Sequence, residues 1–154
     1  MIIEFSEKEI KRILDECKKV QSILRIEQIL KSTYTYKYFH KKFYARNYVY
    51  SYLDTDFNTK FYIGSGTNDR IIVHIIEALY LLSNFKLFRN HRNKHMKVLY
   101  LLRLLQLEKF PKFKIECISD RNMCYYIEKK LIEFYDKKEN IITNIQYVHN
   151  KCTY

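Results

Sequence analysis

Apolar residues recur at helical spacing from the start of the chain. Ser6 followed by Glu9 forms a capping box, after which Ile10, Ile13, Leu14, Cys17, Val20, Ile23 and Leu24 return every three or four positions. This spacing predicts one helix from about Glu7 to Lys31. Its apolar stripe needs a cover, either the main domain or a second chain, so a homodimer through this helix is one expectation. From Asn47 the pattern turns extended. Tyr48–Leu53 and Lys60–Ile63 read as strands joined by the turn-like segment Asp54–Thr59, a hairpin. Asn68 or Asp69 can cap a helix to about Leu82, and Ser83–His91 reads as a loop. Asn93–Glu108 is helical with a broad apolar face and ends before Pro111. Phe113–Ile118 is a third strand, Asp120 or Arg121 opens a helix to about Lys137, and Ile141–Gln146 is an extended tail. The order predicts an α+β fold: a small three-stranded antiparallel sheet flanked by helices over 47–154, preceded by an N-terminal helical extension over 1–46.

Charge adds a partner to this picture. The net charge of +11 favours polyanions, although an AT-rich genome also inflates Lys, Asn, Ile and Tyr. Ser32–Arg46 concentrates the signal: Lys37, Lys41, Lys42 and Arg46 alternate with Tyr34, Tyr36, Tyr38, Phe39, Phe43 and Tyr44, with no acidic residue. Such a mixture suits a groove that tracks a nucleic-acid backbone and stacks its bases. It equally suits a connector that packs its aromatics inward and solvates its lysines. Phe85–Lys97 is a second acid-free basic stretch, with Lys86, Arg89, Arg92, Lys94 and Lys97. No run of about 18 apolar residues occurs, and Met1–Phe5 lacks the basic and apolar regions of a secretory signal. The expectation is an intracellular chain, in cytoplasm or nucleus, with no membrane partner. Cys17, Cys117, Cys124 and Cys152 form no Cys-x-x-Cys pair and read as free thiols.

Chemistry concentrates after the hairpin. The only two glycines, Gly64 and Gly66, lie in Tyr62-Ile63-Gly64-Ser65-Gly66, at a strand exit before a helix. Glycine allows positive φ and close backbone approach, which fits a substrate backbone passing over the strand end. Arg70 and His74 follow at i and i+4, on one helix face near its N-terminus. A guanidinium there can clamp phosphate oxygens, and a histidine can donate to a phosphoryl or leaving oxygen. Glu128 sits beside the apolar positions Ile127, Leu131 and Ile132, where a carboxylate can hold a hard cation or pair with a neighbouring base.

Taken in order, Tyr48-Val49-Tyr50, Tyr62-Ile63-Gly64, Arg70, His74, Glu128 and Thr143-Asn144 resemble the signature of the GIY-YIG endonuclease family. With Asp54, Phe61 and Glu77-Ala78, the spacing is most similar to the branch of the animal LEM-domain and ankyrin-repeat nucleases. The resemblance spans Asn47 to Gln146. Val49 stands where the name motif has Ile, Tyr48 where it has Gly, and Ser65 where a lysine is common.

The resemblance implies a GIY-YIG-like fold and a divalent-metal-dependent DNA endonuclease, a phosphodiester hydrolase whose substrates can be structured or branched. By position, Tyr50 and Tyr62 flank the attacking water, with Tyr50 as the base. An ordinary phenol ionises near pH 10, so this base needs a nearby cation. Arg70 stabilises the transition-state phosphorane, His74 supports the phosphate or water, and Glu128 binds Mg²⁺ or Mn²⁺. Gly64, Gly66, Lys86, Arg89, Arg92, Lys94 and Asn144 contact substrate or order the site. The alternative is a nucleic-acid-binding module on the same fold that does not cleave.

Overall fold

The computed structural model describes residues 1–56, 58–84 and 96–139. Four strands form one antiparallel sheet: β1 (Ile2–Ile3), β2 (Asn47–Leu53), β3 (Lys60–Thr67) and β4 (Lys112–Ile118), in the order β1-β4-β2-β3. The fold is α+β, with one strand more than expected. The extra strand, β1, pairs Ile2 with Lys114 and Ile3 with Phe113. Two residues are too short to display a strand period, so only pairing reveals them.

The N-terminal segment departs from the single predicted helix. It forms α1 (Glu7–Cys17), α2 (Ile23–Lys31) and α3 (Tyr34–Phe43). The expected capping box opens α1, Ser6 caps Glu9 and Glu9 caps Ser6, and Ser22 caps α2 in turn. The break between them has a geometric cause. Ile13, Leu14 and Cys17 are buried, as are Ile26, Ile29 and Leu30. On one uninterrupted helix these two sets would face roughly 160° apart at 100° per residue. Breaking the helix lets both face one core. The α1 stripe that could have received a second chain is thereby covered by the chain's own α2 and α4.

The hairpin of β2 and β3 has Tyr50 opposite Gly64 and Tyr52 opposite Tyr62, with a bulge at Tyr52/Leu53. A short 3₁₀ turn (Asn68–Ile72) leads into α4 (Val73–Ser83). Two further helices are α5 (Met96–Gln106) and α6 (Arg121–Glu139). Period-two alternation sends Tyr48, Tyr50 and Tyr52 to one face of the sheet, where they join residues from α1–α5 in the larger core cluster. Val49 and Ile63 point to the other face, against Cys124 and the apolar side of α6. The sheet is therefore covered on both faces. Ile3, Ile13, Ile26, Phe39 and Phe43 share a cluster with Tyr48, Tyr50 and Tyr52, so one core runs across position 46/47.

The α6 face also holds a buried ion pair. Lys60 Nζ lies 2.5 Å from Glu116 Oε1, both side chains about nine-tenths buried. Ser51 donates to Glu116 at 2.8 Å and Lys60 donates to the Tyr135 hydroxyl at 3.1 Å. Burial pushes the Glu116 carboxyl up, but Lys60 and Ser51 outweigh it and hold it below the usual range. No helix among the described residues is long and apolar enough to cross a membrane. Cys17, Cys117 and Cys124 are free thiols, as expected; Cys152 lies outside the described residues.

Candidate active site

The tyrosines of β2 act as a rack for the turn that carries Arg70. Residues two apart along a strand are separated by about 6.6 Å on the same face, and their phenols reach successive backbone groups of the 3₁₀ turn. Tyr48 donates to Asn68 O at 2.6 Å and accepts from Ile71 N at 3.1 Å. Tyr50 donates to Arg70 O at 3.4 Å, and Tyr52 to Ile71 O at 2.5 Å. Asn68 adopts a left-handed φ of 50° and its side chain accepts from the backbone N–H of Ala45, itself at φ 60°. Asp69 accepts from the Tyr36 hydroxyl at 2.5 Å and pairs with Lys31 at 3.0 Å. Helices α2 and α3 thus hold the residue immediately before Arg70.

This rack gives Tyr50 a structural task beside the role expected of it. Tyr50 is fully buried, and burial pushes its phenol well above the ordinary value, with Tyr52 and Tyr62 adding to the rise. The glycine reading changes as well. Neither glycine has a positive φ. A Cβ on Gly64 would lie 2.7 Å from the Tyr50 Cζ and hydroxyl and 3.0 Å from Tyr62 Cε1. One on Gly66 would collide with the aliphatic stem of Arg70, 2.7 Å from its Cβ. The close approach that glycine permits is therefore by the protein's own Tyr50, Tyr62 and Arg70.

Arg70 and His74 do not share a regular α-helical face, because a 3₁₀ turn ends and α4 begins between them. Arg70 is exposed, whereas His74 is 5% exposed. His74 still feels the charge of Arg70. The Tyr62 hydroxyl is 3.4 Å from His74 Nε2. His74 Nδ1 faces Glu77 at 3.6 Å, beyond hydrogen-bond reach, and is otherwise unpartnered. Burial lowers the imidazole below its ordinary 6.5, with Glu77 pulling partly back, so it is neutral near pH 7.

Lys97, at the start of α5, completes the group. Its ammonium lies 4.8 Å from the centre of the Tyr62 ring. Burial and the nearby Arg70 both hold it below the usual lysine value, against Glu77 and Glu128. On the other side of β3, the Ser65 hydroxyl donates to Glu128 of α6. Burial raises Glu128, while Ser65, Arg70 and Lys97 pull it back. Burial also raises Tyr62, less completely than Tyr50, because its bond to Tyr50 and the charge of Arg70 oppose the rise.

The structure thus brings Tyr62, Arg70, His74 and Glu128 around β3, one of the two edge strands among the described residues, with Tyr50 packed against Tyr62. It adds Lys97, Ser65 and Glu77. Lys97 carries no sequence signal beyond its place at the end of a basic stretch, since only the packing of α5 on α4 turns it onto Tyr62. A small apolar cavity lies elsewhere, between Ile3, Phe5, Tyr36, Phe39 and Ile72. Lys86, Arg89, Arg92, Lys94 and Asn144 lie outside the described residues. Among the described residues no group of three His, Cys, Asp or Glu gathers to hold a metal. Glu128 offers a single carboxylate, with the positive charges of Arg70 and Lys97 acting on it, so a hard ion there would have to draw its remaining oxygens from water or a phosphate. No family model, curated protein or solved structure matches the chain.

Proposed function

We propose that the protein is a divalent-metal-dependent endonuclease that hydrolyses phosphodiester bonds in DNA, of the GIY-YIG type. The observation that carries this reading is the gathering of Arg70, Lys97, His74 and Tyr62 on one side of the β3 edge and Glu128 on the other. Two cations can neutralise a phosphate between them, and donors fixed before the reaction stabilise the charge that develops on its oxygens. Glu128 would hold Mg²⁺ or Mn²⁺, which supplies Lewis-acid charge at the phosphoryl oxygen.

The proton chemistry follows from the buried pair. The neutral His74 Nε2 accepts the Tyr62 proton as the Tyr62 oxygen takes one from the attacking water. The water oxygen bonds to phosphorus and the bond from phosphorus to the leaving deoxyribose oxygen breaks, that oxygen being protonated by solvent. Tyr62 takes this role in place of Tyr50 because the His74 imidazole lies within its reach.

Nicking of supercoiled plasmid tests the reading. Glu128→Gln keeps shape and removes charge, so cleavage under limiting Mg²⁺ falls by orders of magnitude while DNA binding persists. Cleavage at the wild-type rate overturns the assignment. The second reading, binding without cleavage, is favoured by the raised phenols of Tyr50 and Tyr62. It predicts no metal-dependent nicking by the wild-type protein.

A further inference from the structure

We propose that the outer face of α3 is a binding platform for unpaired DNA, stacking bases on Tyr34 and Tyr38 while Lys37, Lys41, Lys42 and Arg46 hold the phosphates. The inference rests on the nuclease reading for its substrate, and makes that substrate a DNA with a single-stranded segment beside the duplex.

The helix separates the two readings that its composition left open, because it divides the aromatics. Tyr36, Phe39 and Phe43 are buried in the core. Tyr34 is 79% exposed, Tyr44 63% and Tyr38 44%. The basic residues share the outer side: Lys37, Lys41, Lys42 and Arg46 are all exposed. Helical spacing arranges them in two adjacent rows, Tyr34–Tyr38–Lys42 and Lys37–Lys41, each at i, i+4. Rings one turn apart are separated by about 6 Å along the axis, nearly twice the rise of about 3.4 Å per nucleotide in a stacked strand. Each ring can therefore take its own base from an extended strand.

Charge selects the occupant. No carboxylate occurs from Ser32 to Arg46. Among the described residues, Glu9 and Asp69 hydrogen-bond to α3 on its inner side, Glu9 with Thr35 and Asp69 with Tyr36, where Asp69 also pairs with Lys31. An exposed Tyr–Lys surface with no acid repels cationic partners and attracts a polyanion. Phenol rings recognise base faces, which a duplex hides within its own stack and an unpaired strand presents. Lys42 Nζ stands 5.7 Å from the Tyr38 ring centre, so phosphate and base sites are side by side. Position completes the case. Ala45, just past α3, is bonded to Asn68, and Asp69 precedes Arg70. A strand leaving the platform meets the Arg70 turn directly.

Fluorescence anisotropy on the full chain in EDTA, with a dT oligomer and a blunt duplex of equal length, tests this. Tyr34→Ala/Tyr38→Ala weakens dT binding roughly tenfold or more and leaves duplex binding within about twofold of wild type. Tyr34→Phe/Tyr38→Phe, which keeps the rings, restores dT binding. Lys41→Gln/Lys42→Gln flattens the log–log salt slope for dT by about 1.4, at 0.7 per phosphate. Equal loss on both ligands, no loss on either, or failure of the Phe pair to restore binding overturns the platform. So does a wild-type protein that does not bind dT saturably, the result expected of a protein-docking face. Plasmid nicking separates this from the nuclease reading. Ring-dependent dT binding without nicking sinks the nuclease and leaves the platform. Glu128-dependent nicking with ring-independent dT binding does the reverse.

Discussion

Gly64→Ala probes the packing on which the whole site depends. Its φ is not positive, so alanine meets no backbone strain. By itself the change would stabilise the fold by about 0.4–1 kcal/mol through the unfolded chain. The new methyl, however, lies 2.7 Å from the Tyr50 ring end and 3.0 Å from Tyr62. Tyr50 is wholly buried between Tyr48, Tyr52 and Tyr62 and its hydroxyl is tied to Arg70 O, so the ring cannot swing away. Overpacking of this kind costs about 1–3 kcal/mol. The net loss is about 1–2 kcal/mol, or roughly 2–8 °C in Tm for a domain of this size. Urea unfolding followed by circular dichroism measures it, with an unchanged m-value showing that the unfolded state is unaltered. Tyr50→Leu removes the colliding atoms, so adding Gly64→Ala to it costs less than adding it to wild type, by about 1 kcal/mol in a double-mutant cycle. A Gly64→Ala protein as stable as wild type, or a cycle with no coupling, refutes the reasoning and returns the glycine to a role toward substrate.

Three further outcomes follow from the same geometry. Tyr62→Phe abolishes single-turnover plasmid nicking, whereas Tyr50→Phe lowers it only several-fold, since Tyr50 supports the Arg70 turn and Tyr62 whereas Tyr62 touches the imidazole; equal losses would restore Tyr50 as base. Glu116→Gln strands the buried Lys60 ammonium and destabilises by about 3–5 kcal/mol in chemical denaturation, and Lys60→Met/Glu116→Leu recovers most of that. His74 is held below its ordinary 6.5 in the fold, so the unfolded chain binds the extra proton first as pH falls. Its contribution to stability is full above pH 6.5 and is lost as pH drops through the lowered folded value, and His74→Gln makes the melting temperature flatter across that window.

The sequence alone determined what depends on neighbours along the chain. Strand alternation marked β2, the start of β3 and β4, the Ser6–Glu9 pair marked the start of α1, and the ordered set held Tyr62, Arg70, His74 and Glu128, which the fold brings around β3. Tertiary structure decided what depends on distant segments meeting. β1 is too short to show a period and exists only because β4 offers it an edge. The break between α1 and α2 satisfies a core whose direction no local pattern encodes. Ser65 became the partner of Glu128 because α6 crosses its side of β3. Tyr50 and Tyr62 look interchangeable in a list of tyrosines. Burial makes one a strut and the other a neighbour of histidine, because a phenol's acidity is set by the water and charge around it, and those are properties of the packed chain.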